Sequence, residues 1–381
     1  MNAKVNNVTG RFFIRLLKIL NLILLIILGM SYLAPYIHPG DFWLPALSGL
    51  SFTYILAANL FFIVTWFLLK RKFVILPIII VALGWNHIGR LMRFNPSDGS
   101  INPQKIRVLS YNVQNFYHED HKKFPANVRS VRDSITRFIE HRDPDILCLQ
   151  EFPIEPKGMK DQLNELTSGL GYKFYHFSSY FEHTKIVSGI ALISRYPIIL
   201  ARSVSHDGKA IAVYCDLVTG NDTIRSFNVH LASVNLGRSD YEFISDFRKK
   251  ATGDEAEESL RGIIAKLKNA FVKRGTEAHI IAGHIAASPY PVIVCGDFND
   301  TPNSYTYRIV SQSLDDAFLE AGRGMASTYA GDVLPSFRID YLFFDPGYFK
   351  ALDFNRIKIR MSDHYPIEGD LIIKNRLSPA E

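Results

Sequence analysis

The sequence predicts an α/β fold, a two-sheet β-sandwich flanked by helices, preceded by an N-terminal helical transmembrane region. Three observations carry this. Long uncharged apolar runs are confined to the first hundred residues. Beyond them, strand-like runs are apolar without interruption, as expected of strands covered on both faces. Between those runs lie helical stripes and a hairpin signal, a mixture of connections that two packed sheets with outer helices accommodate.

The N-terminal segments come first. Ile19 to Tyr36 and Phe42 to Leu69 carry no charge, and Phe73 to Gly89 has only His87 as a titratable group. Roughly 20 apolar residues cross a bilayer as a helix, so three spans are expected within residues 1–95. A cleavable signal peptide is the alternative for the first, since Arg11, Arg15 and Lys18 precede it, but no small-residue cleavage site follows. For the third, Pro77 and its short length leave a buried core helix as the competing reading. Lys4, Arg11, Arg15 and Lys18 precede the first segment, and Lys70, Arg71 and Lys72 join the second to the third. By the positive-inside tendency these flanks are cytoplasmic, so an odd number of spans delivers the C-terminal part to the other side; Arg90 and Arg93 pull against it.

Charge and cysteine content exclude some functions. The net charge of +6 is concentrated at the membrane flanks: residues 1–100 hold 9 basic and 2 acidic groups, leaving 34 against 35 beyond them. The C-terminal part therefore lacks the overall positive field that drives non-specific DNA binding. Cys148, Cys215 and Cys295 sit far apart in apolar runs with no C-x-x-C pair, which reads as buried thiols and neither zinc nor redox chemistry.

A polar, turn-rich linker, residues 96–104, opens the second region, 105–375. Strands are expected at "IRVLSYNV", "DILCLQE", "GIALISRYPII", "IAVYCDL", "TIRSFNVHL", "PVIVCGDF", "FRIDYLFF" and "YPIEGDLII". Helical stripes are expected at Val128 to His141 and Leu260 to Val272, and Gly220 to Asp222 reads as a hairpin turn. That hairpin counts against a plain parallel doubly wound sheet.

Polar groups gather at the strand ends: Asn112, Glu151, His230, Asp297 with Asn299, Asp340, and Asp363 with His364. Buried carboxylates are costly unless paired or bound to a cation, and an oxygen-rich set suits a hard cation such as Mg2+. "GDFN" and a downstream "SDH", in order with these others over residues 105 to 373, resemble the endonuclease/exonuclease/phosphatase family, and specifically its membrane-tethered bacterial members. The resemblance implies a four-layer, deoxyribonuclease-like fold and a metal-dependent phosphoesterase in a multi-pass bacterial cell membrane, with its catalytic part periplasmic or extracellular. Glu151 would be the principal metal ligand, with Asn112 and Asp363 supporting it; the metal would be Mg2+, with Mn2+ or Ca2+ as alternatives. Asp297 would deprotonate the attacking water and Asn299 would hold a phosphate oxygen. Asp340 would fix and charge His364, and His230 would donate to phosphate or to the leaving oxygen.

The motifs leave the substrate open among nucleic acid, phospholipid and small phosphodiesters, and imply no protein partner. A catalytically silent tethered module is the alternative function, and the intact site residues count against it. Other features read as structural. Asp300 reads as a turn residue before Pro302, "YHEDH" at Tyr117 to His121 as a loop, and His279 and His284 as surface positions. Tyr172, Tyr175 and Tyr180 compete for the family's phosphate-contacting tyrosine.

Overall fold

The computed structural model describes residues 2–95, 105–116, 128–154, 163, 167–182, 187–245, 254–331 and 337–374. The expected linker 96–104 and the "YHEDH" loop lie outside them. The N-terminal region consists of helices α1 (Asn2–Leu33), α2 (Leu44–Leu50), α3 (Phe52–Leu68), α4 (Ile75–Leu83) and α5 (Trp85–Ile88). Among the described residues, only Arg11–Leu33 of α1 is by itself long and apolar enough to cross a membrane. This departs from the three spans expected: one helix has the length, or two if the bent pair α2–α3 is taken as one span. The second apolar run bends by 72° between α2 and α3. The third stops at Gly84 after nine helical residues of α4 and resumes as the single turn α5. Apolar composition sets neither break, because each is a backbone event inside an uninterrupted hydrophobic run.

The remaining strands are β1 (Arg93–Phe94), β2 (Ile106–Asn112), β3 (Ile146–Ile154), β4 (Phe174–Glu182), β5 (Val187–Ser194), β6 (Ile198–His206), β7 (Lys209–Thr219), β8 (Asp222–His230), β9 (Val292–Asp297), β10 (Asp315–Asp316), β11 (Arg323–Gly324), β12 (Asp340–Phe344), β13 (Phe349–Arg356) and β14 (Ile367–Ile373). The helices among them are α6 (Val128–Arg142), α7 (Arg238–Ser245), α8 (Asp254–Ala286), α9 (Tyr305–Val310) and α10 (Ala317–Ala321). Among the described residues there are two six-stranded sheets, ordered β13-β14-β2-β3-β5-β4 and β10-β12-β9-β8-β7-β6, and a two-stranded pair β1-β11. Both large sheets are mixed: β2–β3 and β8–β9 are parallel and the other pairs antiparallel.

Alternation along the strands explains the layers. Val108 and Cys148 face the space between the sheets, where they meet Cys295, Val213 and Leu342, whereas Leu109, Tyr111, Leu147 and Leu149 point outward onto Val131, Ile135 and Ile139 of α6. On the other sheet, Phe227, Val294 and Phe343 face Ala278, Ile281 and Ile285 of α8. Each inner strand is thus buried on both faces, as its unbroken apolar run requires. All three cysteines are free and buried. The expected hairpin is present, with Thr219 opposite Asp222 and Gly220 at φ 73°. The run "GIALISRYPII" divides at Arg195–Pro197, and its halves enter different sheets as β5 and β6. The helix expected from Leu260 to Val272 is longer, running from Asp254 to Ala286.

The helical region packs on the loop that follows β9. Asn303, 2% exposed, donates Nδ2 to the Ser31 carbonyl (2.9 Å), and its Oδ1 lies 2.5 Å from His87 Nδ1. Arg90 donates to the Pro302 carbonyl (3.3 Å), and the Gly49 backbone lies against the Asn303 carbonyl. At the far end of the same helices, the Lys18 ammonium sits 5.3 Å from the Phe73 ring centre, and the Trp66 and Phe73 rings are 5.1 Å apart.

Candidate active site

Strand register brings the site together. Asp297 ends β9 opposite His230 of parallel β8 and opposite Asp340 of antiparallel β12, so three neighbouring strands present chemistry in one row. Close approach of the backbone makes this row possible. Gly296 has φ 139°, and a Cβ there would overlap the Val229 backbone, so no other residue fits between β8 and β9. The chain then turns sharply, with Asn299 at φ 53°.

The second sheet supplies the opposite wall. β3 breaks register with β5 between Leu149 and Phe152, and Glu151 within this bulge has φ 51°. Bulges re-aim side chains, and a non-glycine residue held in this region is strained by about 1 kcal/mol or more. The bulge turns Glu151 toward Asn112, whose Nδ2 donates to Glu151 Oε1 (3.2 Å) and to Asp297 Oδ2 (3.0 Å). One amide therefore bridges carboxylates from the two sheets. Behind it, Gln150 of β3 donates Nε2 to Asn228 Oδ1 of β8 (2.6 Å), and Asn228 donates to the Leu149 and Ala191 carbonyls, a buried polar tie between the sheets.

Asp297 is held firmly. Its Oδ1 accepts from the Asn299 backbone N–H (2.8 Å), and Oδ2 accepts from Asn112 and from Asn299 Nδ2 (3.2 Å). Asn299 Nδ2 also donates to the Leu231 carbonyl (3.0 Å), so both its amide hydrogens are engaged within the protein. His364 places Nδ1 3.0 Å from Asp340 Oδ2 and Nε2 3.7 Å from Asp297 Oδ2. Burial pushes the Asp297 carboxyl above its ordinary range, and Asp340 adds to this against the pull of His364 and His230. Burial opposes charge on His364, yet Asp340 and Asp297 together hold its proton well above the usual imidazole range. Asp363, also raised chiefly by burial, titrates at about 6; its backbone N–H donates to Gln114 Oε1 (3.2 Å), and Ser362 Oγ donates to its Oδ1 (3.3 Å).

His230 faces the gap between the walls. Its Nε2 lies 3.8 Å from Glu151 Oε1 and 3.9 Å from Asp297 Oδ2, too far to bond either, and it is buried without a hydrogen-bond partner. A native buried polar atom left orphaned points to a missing ligand. Glu151 is the open carboxylate here, with a side chain 26% exposed against 1% for Asp297. It is met by Asn112 and Asn115 amides and by no Lys or Arg ion pair among the described residues. An accessible carboxylate beside an amide and a second carboxyl is the oxygen set a hard divalent cation takes. The buried group Asp297, Asp340 and His364 is also compact enough for a metal. Its imidazole nitrogen is already occupied by Asp340, which suits proton handling better.

All eight expected residues thus line one region, from both sheets. Two supporting residues, Asn115 and Ser188, were not foreseen. Asn115 donates to Glu151 Oε2 (3.3 Å) and accepts from Ser188 Oγ (2.5 Å), and Ser188 in turn contacts Tyr180 OH (3.0 Å). The Tyr180 ring packs edge-on to His230 at 5.1 Å, whereas Tyr172 is buried and bonds the Pro144 carbonyl and Tyr175 packs on the core beneath α6, so of the three tyrosines Tyr180 is the one beside His230. The "YNVQN" spacing was the available signal for Asn115. Asp300 is structural, accepting from Thr306 Oγ1 (2.9 Å) and buried Arg274 Nε (3.2 Å). His279 is exposed and contacts Tyr305, and His284 is half-buried beside Tyr214.

A model described as "Endonuclease/Exonuclease/phosphatase family" matches residues 109–364, and one for a domain of unknown function matches residues 14–91. No curated protein matches the chain. Among solved structures, an endonuclease/exonuclease/phosphatase family protein from Bacteroides thetaiotaomicron aligns with TM-score 0.51 and 15% identity, over 74% of this chain and all of that one. An endonuclease/exonuclease/phosphatase from Beutenbergia cavernae gives 0.48 and 19%, over 71% and 72% of the two chains. The human Nocturnin catalytic domain gives 0.47 and 18%, over 72% and 95%.

Proposed function

The chain belongs to the endonuclease/exonuclease/phosphatase family of metal-dependent phosphate-ester hydrolases, and from that premise we propose that it hydrolyses phosphodiesters at a site fixed to a membrane by its N-terminal helices. One observation carries the reading. The carboxylates of Glu151 and Asp297, joined by Asn112, and the orphaned His230 nitrogen surround a single gap between the two sheets.

Glu151 would hold the cation, Mg2+ on the hardness of its oxygens, with Asn112 and Asp363 beside it. When bound, the cation supplies Lewis-acid polarisation of the phosphate oxygens. Asp297, fixed by three donors and raised by burial, takes a proton from the attacking water as its oxygen bonds phosphorus in line with the leaving group. His364, kept protonated by Asp340, donates from Nε2 to a non-bridging oxygen, where negative charge accumulates. His230 Nε2 protonates the leaving oxygen as its bond to phosphorus breaks. The products are a phosphomonoester and an alcohol. Asn299, with both amide hydrogens engaged, positions Asp297.

For the membrane, α1 offers a spanning length, and the helical region has two distinct ends. Ser31, Gly49 and His87 meet at Asn303, while Lys18, Trp66 and Phe73 gather at the other end. Three passes, the second bent and the third short, are consistent with this. The basic end is then cytoplasmic and residues 105–375 lie outside.

The decisive assay is hydrolysis of bis(p-nitrophenyl) phosphate by the full chain in detergent with Mg2+. A folded, metal-loaded protein inert on diesters, monoesters, DNA and phospholipids would leave a silent tethered module instead. A reporter fused after Glu381 tests the placement: activity of a cytoplasm-only reporter overturns it.

A further inference from the structure

A cavity of about 420 Å³ opens beside His230. Its floor is Ala210, Ile211 and Ala270, and Phe181, half exposed, stands at one wall. Lys209 at the start of β7 and Lys266 and Lys273 of α8 also line it. Lys266 and Lys273 are seven residues apart, so two helical turns bring both to one face.

We infer that this cavity is an anion subsite for a further phosphate carried on the leaving side of the substrate, a deepening that rests on the phosphoesterase reading above. Position gives the side: His230, which protonates the leaving oxygen, forms part of the wall, so the departing group enters this space. Charge gives the ligand class. Lys266 is tied to Asp240 (2.5 Å), but Lys273 faces Asp207 only at 3.7 Å, an exposed pair of the weakest kind, and Lys209 is exposed with no ion pair among the described residues. Asp207 and Asp240 do not line the cavity, and the carboxylate that does, Glu277, is buried, accepting from the Ala232 N–H (2.8 Å) with His206 Nδ1 3.6 Å away. Two ammonium groups are therefore left to meet an anion over an apolar floor. Phe181 beside them offers a face to a flat or apolar connecting group. A substrate with two phosphates thus fits where a simple diester leaves the cavity unused.

The test compares three esters with the full chain in detergent and Mg2+: bis(p-nitrophenyl) phosphate, methyl p-nitrophenyl phosphate, and methyl p-nitrophenyl phosphate carrying a phosphonomethyl group on the nitrophenyl ring, so that the second anion travels with the departing phenol. The wild type is expected to favour the last over the second in kcat/KM by about 10-fold or more, equivalent to ~1.4 kcal/mol, and less so at high salt. The Lys209→Ala/Lys273→Ala double variant should lose that preference while turning over bis(p-nitrophenyl) phosphate normally. A wild type without the preference, or a double variant that keeps it, overturns the subsite. If metal-loaded wild type hydrolyses none of the three, the catalytic reading falls separately. Calorimetric binding of thymidine 3′,5′-bisphosphate in EDTA then reads the subsite alone: loss in the double variant supports it and unchanged binding refutes it.

Discussion

Asp297 and Asp340 are paired residues on neighbouring antiparallel strands, two buried carboxylates in one row, and His364 bonds one and faces the other. Two like charges so placed are tolerable because the imidazole between them holds a proton. This row is the core of the proposed chemistry, and each of its members can be tested apart.

Removing the Asp297 carboxylate should abolish turnover with the fold intact. Asp297→Asn keeps the shape and most hydrogen-bond positions but cannot take the proton of water. Hydrolysis of bis(p-nitrophenyl) phosphate should fall at least about 100-fold, the usual worth of a general base. An unchanged circular dichroism spectrum shows that the loss is chemical.

Asp340→Asn should move the alkaline side of the pH profile. The charge of Asp340 raises the folded-state pKa of His364 against the effect of burial, so removing it lowers that pKa. Activity that needs protonated His364 then declines from a lower pH than in the wild type. The same sign applies to stability. His364 contributes stability fully below the ordinary imidazole value and loses it as pH rises through the raised one, so the variant should also lose its alkaline stability earlier in thermal melts.

Chelation should stop the reaction reversibly. EDTA is expected to abolish hydrolysis and added Mg2+ to restore it, with Glu151→Gln needing at least about 10-fold more Mg2+ for half-maximal rate. A Mg2+ titration of initial rates reads this directly. Equal demand in variant and wild type would remove Glu151 from the metal's ligands.

Gly296→Ala should destabilise the protein strongly, although it adds one methyl group. The new Cβ would overlap the Val229 backbone in a conformation, φ 139°, that alanine avoids, and the strands carrying His230 and Asp297 must separate. A loss of about 3 kcal/mol or more in denaturant unfolding is expected.

Asn303→Ala should loosen the helical region from the loop after β9. It removes the donor to the buried Ser31 carbonyl, at about 1–3 kcal/mol, and the partner of half-buried His87. Faster protease cleavage between the two regions, in detergent and with the substitution as the sole change, measures it.

The inner strands and the site were legible for one reason. An apolar run that ends in Asp, Asn, Glu or His marks a buried strand delivering a polar group to its end, and β2, β3, β8 and β9 all read this way. What escaped lies at sheet edges. β4 and β13 are the outer strands of one sheet, and β6, an edge of the other, was merged with β5. An edge strand is partly wet, so Phe174–Glu182 mixes Ser, His and Glu with its aromatics and carries no continuous signal. Asn115 escaped because its reach depends on three successive positive-φ residues, Gln114 to Phe116, which composition does not reveal. The helix breaks near Ser51 and Gly84 escaped because each is a local backbone turn inside an unbroken apolar run.

The knot at Asn303 also bears on how the enzyme meets its target. A catalytic head on a slack leash samples a wide volume and takes whatever diffuses by. Here the loop that follows Asp297 and carries Asn299 is bolted, four residues further on, to the end of α1. On the proposed membrane placement, the reaction centre would keep a constant height and tilt over the surface α1 enters, which would favour esters presented there over those free in bulk.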